Sequence, residues 1–167
     1  MKKSKDTLKI KGMFRLQIED GPTGKIIGDS GWRENQVTNL GFLNIVNQLG
    51  TSLTGSKISH AALGTGGAPA ASDTTLSGEV STNGSGSVVR AALTAATSSA
   101  SKTLRNTATF SSANSFLTAS ANISNIGLWQ TSGPTTASGT LMAGNTYTSS
   151  ACATNQNVNI TYDLIFA

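Results

Sequence analysis

Apolar and polar residues alternate most regularly near the start of the chain. Leu8, Ile10, Phe14, Leu16 and Ile18 share one parity with Gly12, while Lys9, Lys11, Arg15 and Gln17 share the other. A period of two predicts a half-buried strand over residues 8 to 18 with a basic outer face. The run Asp20 to Gly24 then predicts a turn, because Pro22 presets one backbone angle and the glycines accept positive φ, so residues 25 to 32 are expected to return as the hairpin partner. The spacing becomes helical once, over 39 to 49, where Leu40, Leu43, Val46 and Leu49 recur before a closing Gly50 and either Thr38 or Asn39 can cap. This amphipathic helix is expected to cover one edge or end of the strand structure. Further strands are predicted at 58–63, 87–95, 103–111, 116–129 with a break, 139–143 and 157–166, the last carrying Val158, Ile160, Tyr162, Leu164 and Phe166 on its inner face. Asn83-Gly84 and Ser132 to Pro134 mark turns.

Many short strands and one helix predict an all-β fold, a two-sheet β-sandwich or jelly roll. The expected organisation is one domain over 8–167 preceded by a flexible basic arm over 1–7. Composition agrees: 12% charged residues and 18 glycines suit short strands joined by turns.

Composition adds one oddity. From Asn106 to Tyr162 the chain runs 57 residues with no Asp, Glu, Lys, Arg or His, and 20 of them are Ser or Thr. A free globular surface is roughly a quarter to a third charged. The stretch also carries Phe116, Ile123, Leu128, Trp129 and Tyr147, more apolar bulk than a disordered segment holds. It is therefore expected to be folded and to face neighbouring protein, with Trp32, Trp129 and Phe116 as candidate subunit contacts.

The net charge of +4 is unevenly spread, since eight of twelve basic residues lie in residues 1 to 33. Lys2, Lys3, Lys5, Lys9, Lys11 and Arg15 form the densest group. Such an arm, followed by a nearly neutral body, suits an acidic groove on a protein or a solvated terminus better than nucleic acid. The opening MKKSKDTLKIKG is not followed by the apolar core of a secretory signal, and no run approaches the ~20 apolar residues of a spanning helix. A soluble protein made in the cytoplasm, with no membrane partner, is expected.

Candidate chemistry is sparse. Cys152 is the single cysteine, which removes an internal disulfide and a cysteine-based zinc cage and leaves a small buried hydrophobe. Gly64-Thr65-Gly66-Gly67 follows a strand but lacks the Gly-Lys-Ser/Thr ending of a phosphate loop, so a flexible connection is expected over Gly64 to Ser72. His60 is the only imidazole and has no recognisable nucleophile motif beside it. Asp73 with Glu79, and Asp29 with Glu34, are carboxylate pairs whose spacing identifies no hydrolase. No catalytic residue, metal site or cofactor is expected.

Three segments carry a resemblance. TGKIIGDSGWRENQVTNLG at 23–41, ALGTG at 62–66 followed by PAASDTTLSGE at 69–79, and NIGLW at 125–129 with a later GTLMA resemble virion proteins of tailed bacteriophages. The chain is most similar to small capsid decoration (cement) proteins and to related tail or fibre modules. In those proteins Glu often precedes Ile-Gly-Leu, where this chain has Asn125. The resemblance implies a non-enzymatic β-sandwich on the outer capsid surface of the virion, with the major capsid protein and further copies of itself as partners, as a homodimer or homotrimer. It places the basic residues from Lys2 to Arg15 against the capsid. A tail, neck or fibre component, or a glycan-binding adhesin module using Trp32 or Trp129, are the alternatives.

Overall fold

The structure, a computed structural model, describes residues 9–50, 57–80, 83, 89–132 and 139–167. The Leu8 end of the first strand and the basic residues Lys2, Lys3 and Lys5 lie outside the described residues.

Two antiparallel sheets face each other. The first strand, β1 (Ile10–Asp20), lies beside the last, β11 (Gln156–Phe166), in unbroken register from Ile10↔Phe166 to Asp20↔Gln156. On the far side of β11 come β8 (Thr103–Phe110) and then β7 (Thr94–Ser98) as one edge. On the other side β1 carries β2 (Ile26–Asp29) and, further along, β3 (Arg33–Glu34). The second sheet runs β4-β10-β9-β5-β6, with β4 at Gln36–Val37, β5 at His60–Gly64, β6 at Ala91–Ala92, β9 at Ala121–Trp129 and β10 at Leu141–Cys152. The all-β, two-sheet sandwich expected from the strand pattern is thus the fold.

The parity of β1 and β11 decides the core. Phe14, Leu16 and Ile18 of β1, with Val158, Ile160, Tyr162 and Leu164 of β11, meet Ile123, Ile126 and Leu128 of β9 and Met142, Tyr147 and Cys152 of β10. Phe14 stacks on Tyr162 and meets Tyr147 edge-on, each with 6.2 Å between ring centroids, arrangements the ring quadrupole favours.

The chain differs from the expected elements where the alternation is broken. The strand expected at 139–143 continues to Cys152; irregular pairing between Leu141 and Ala143 and between Thr146 and Ser150 shifts the parity, which hides the strand in a Ser/Thr-rich sequence. The strand expected over 87–95 is two, β6 and β7, because the chain passes from one sheet to the other at Leu93. The strand proper of 116–129 begins only at Ala121, after a 3-10 turn at Ser112–Asn114 and the buried Phe116 and Leu117.

The helix α1 (Asn39–Gly50) forms where its spacing predicts, and Thr38 is the cap: its Oγ1 accepts from Gly41 N at 3.0 Å and donates to Leu141 O at 2.5 Å. Its orientation is unexpected. Gly41 and Asn44 face inward, while Leu43 and Val46 are 53% and 62% exposed. The cause is close approach, because a Cβ on Gly41 would lie 2.1 Å from Met142 O. The helix therefore seats its smallest residue on β10 and turns part of its apolar stripe outward.

Candidate interaction surface

Part of the outer face of the β4-β10-β9-β5-β6 sheet is covered by its own chain. Ala62, Trp129 and Leu141 form a second apolar cluster closed by Leu76. Gly64 to Ser72, expected as a flexible connection, is fastened there: Ser124 Oγ donates to Gly66 O at 2.9 Å, and the buried Asn125 donates from Nδ2 to Gly67 O and Ser77 O at 3.0 and 2.8 Å. A Cβ on Gly64 would lie 2.3 Å from Asn125 Oδ1, so the glycine is required by packing rather than by a phosphate. A carboxylate could not take the place of Asn125, because it has no N–H to give two carbonyls.

Arg90 lies over the same cluster. Its Nε and Nη2 donate to Glu79 Oε1 and Oε2 at 2.6 and 3.2 Å, Nη1 donates to Thr131 O at 3.3 Å, and its guanidinium carbon sits 3.6 Å from the centroid of the Trp129 ring. The two charged side chains are 1% and 2% exposed. Trp129 is fully buried beneath this pair, and Phe116 is buried against Phe110 with centroids 5.8 Å apart. Both side chains are thus occupied inside the chain, which corrects their place among the candidate subunit contacts. The neutrality of β9 from Asn125 to Trp129 has the same origin, since that part of the strand is central and buried.

His60 does meet a hydroxyl. Ser59 Oγ lies 2.8 Å from His60 Nδ1, yet it donates its own proton to Gln130 O at 2.6 Å. With its hydrogen directed to a backbone carbonyl, Ser59 accepts from the imidazole and is not deprotonated by it. Burial, with the charge of Arg90 adding to it, lowers the pKa of His60. The candidate carboxylates have structural partners: Asp73 accepts from Ala70 N at 2.9 Å, Glu79 holds Arg90, Asp29 accepts from Arg15 Nε at 3.0 Å, and Glu34 lies 2.6 Å from Lys11 Nζ. Among the described residues no three of His, Cys, Asp and Glu gather as a metal cage would require. Cys152 is buried, and burial pushes its thiol up to about 11.

The outward residues of β1 form the basic face read from the sequence, but Lys11 and Arg15 are engaged with Glu34 and Asp29. The Arg15 hydrogen bonds hold the Asp29 carboxyl far below the usual carboxylate range, and Lys11 lowers Glu34 likewise. Lys9 is exposed at the start of the strand. Of the three candidate aromatic contacts, Trp32 alone reaches the surface, at 43% exposed. It lies 5.7 Å from the guanidinium of Arg105, which donates to both oxygens of Asp163 at 2.8 and 2.7 Å.

The two edges of the first sheet expose uncharged residues. All five residues of the edge strand β7, Thr-Ala-Ala-Thr-Ser, are exposed. Ile26 and Ile27 on the opposite edge strand are 41% and 51% exposed. The sequence spacing could not show this, because whether a strand is an edge depends on which strands pair. No helix among the described residues is long and apolar enough to cross a membrane. Comparison with protein-family models, with curated proteins and with solved structures finds no match to this chain.

Proposed function

We propose that this chain is a non-enzymatic structural protein of a tailed-bacteriophage virion, a capsid decoration protein that binds the outer head surface and bridges major capsid protein subunits. The observation that carries the reading is the β7 edge: five exposed residues with no charge and no proline. Sheets normally protect such edges with lysine, proline or a bulge, because an open row of N–H and C=O groups recruits another strand. A chain whose working state is an assembly gains from leaving the edge open. Symmetric pairing of copies, as a homodimer or homotrimer, follows from the repeated sites of a shell, and binding only to the assembled lattice stabilises that lattice by mass action. In this reading the basic residues before β1, with Lys9, face the capsid. Imaging of labelled protein on intact particles tests it: label spread over the head is expected, and label confined to the tail would replace the decoration role with a tail, neck or fibre role.

A second reading rests on Trp32. An exposed indole beside an Arg105–Asp163 pair offers a stacking face with hydrogen-bonding groups at its edge, which suits a sugar ring. Binding on a glycan array that disappears with Trp32→Ala would favour an adhesin module over a capsid protein.

A further inference from the structure

Among the described residues, every sheet edge except β7 is guarded against a further strand. β4 and β6 are two residues long, and β3 is the charged pair Arg33 and Glu34. The register of β2 against β1 shifts between Ile18 and Glu19, and β2 ends on the carboxylate of Asp29, bound to Arg15. β7 has none of these devices. It follows β8 in straight register from Thr94↔Thr107 to Ser98↔Thr103, all five residues are exposed, and the next charged residue along the chain, Lys102, lies beyond the strand. The free side of such a strand offers backbone N–H and C=O groups, so what fits it is another extended strand.

We propose that the occupant is β7 of a second copy, antiparallel about a two-fold axis at Ala96, so that the β2-β1-β11-β8-β7 sheets of the two copies become one. This rests on the reading of β7 as an edge left open for assembly and narrows it to a dimer, because a two-fold contact uses the same patch on both copies and closes. The axis sets Ala96 against Ala96, Thr94 against Ser98 and Ala95 against Thr97 of the second copy. Ala96 stands opposite Arg105 on β8 and shares the outer face with Thr94 and Ser98. Thr with Ser is a cross-strand pair that stabilises a sheet, and here it forms twice, while alanine leaves room at the axis. No charge meets its own copy: the two Arg105 side chains stand three strand spacings apart, roughly 14 Å against a Debye length of ~8 Å, and each is held by Asp163. Five residues make a small junction beside the roughly 1,200 Å² of a stable interface. The pairing is therefore reversible in solution and strengthened where a shell presents repeated sites.

The test uses the full chain in sedimentation equilibrium, from micromolar to near-millimolar concentration, with Ala96→Lys and Ala96→Glu, alone and mixed. The unsubstituted chain should form dimers and nothing larger. Each variant alone should dimerise about tenfold more weakly, because like charges meet at the axis, and an equal mixture should recover the dimer as a mixed pair. Residue 96 is exposed, so Tm should stay that of the unsubstituted chain, which separates lost pairing from lost folding. Ala96→Cys should cross-link to itself through a short bis-maleimide faster than Ile27→Cys on the opposite edge, and the buried Cys152 does not compete. A chain that stays monomeric or forms trimers, a dimer indifferent to both charges, or cross-linking no faster for Ala96→Cys than for Ile27→Cys would each overturn the pairing. Label on the head of intact particles alongside any of these would leave the decoration role standing, whereas label on the tail alongside a β7 dimer would remove that role and keep the pairing.

Discussion

Replacing Arg90 by Ala removes one partner of a charge pair whose side chains are 1% and 2% exposed. Glu79 would then be left buried and charged beside Trp129, with no donor in place of the two N–H groups that now hold it at 2.6 and 3.2 Å. Breaking such a pair costs about 3–5 kcal/mol. Loss of the guanidinium over the Trp129 ring, at 3.6 Å from its centroid, adds to this, since a desolvated contact of that kind is worth up to about 2 kcal/mol. A loss near 4 kcal/mol is a large part of the ~5–15 kcal/mol that holds a domain folded. At roughly 2–4 °C per kcal/mol for a chain of this size, Tm should fall by about 8–16 °C. Urea unfolding followed by far-ultraviolet circular dichroism measures it without relying on Trp129 as the reporter. Glu79→Ala should cost a similar amount, and Arg90→Met with Glu79→Leu should recover most of the loss, because the desolvation cost disappears with both charges. If each single variant cost under about 1 kcal/mol and the double-mutant cycle showed no coupling, the pair would be solvated and the account of this cluster wrong.

Three further outcomes follow from named contacts. Asn125→Asp should destabilise the fold by about 2–4 kcal/mol, since it places a carboxylate against Gly67 O and Ser77 O in a buried site, and hydrogen exchange should show the 64–80 segment opening first. Val46→Lys on the outer face of α1, 62% exposed, should change the stability of the isolated chain by under about 0.5 kcal/mol while weakening any self-association measured by sedimentation, and a large stability loss would show that the face is already covered. Acid should destabilise the protein: Asp29 and Glu34 have depressed pKa values when folded, so their contribution is complete above the ordinary carboxylate range near pH 4 and declines as pH falls below it toward the folded values. Arg15→Met should make that acid dependence shallower, and an unchanged slope in urea midpoints between pH 5 and pH 2 would rule out Arg15 as its source.

The parity of Phe14, Leu16 and Ile18, and of Val158 to Leu164, was enough to fix two strands and their inner faces, because a half-buried strand leaves its period in the sequence. Local chemistry likewise placed the Asp20 to Gly24 turn and the limits of α1, which depend on caps and turns a few residues long. Tertiary structure decided the rest. It turned Leu43 and Val46 outward because Gly41 alone fits against Met142 O, and it made Trp129 and Phe116 core residues. It also joined Arg90 to Glu79, matched Lys11 and Arg15 with acids, and left β7 as an edge. These depend on which segments far apart in the chain come to lie side by side, and a periodicity records which way a residue faces but not what stands opposite it. The uncharged run from Asn106 to Tyr162 shows both halves: its composition announced folded, neutral surroundings, while only the sheet order divided it into the central part of β9, buried from Asn125 to Trp129, and strands with residues still open to a neighbour.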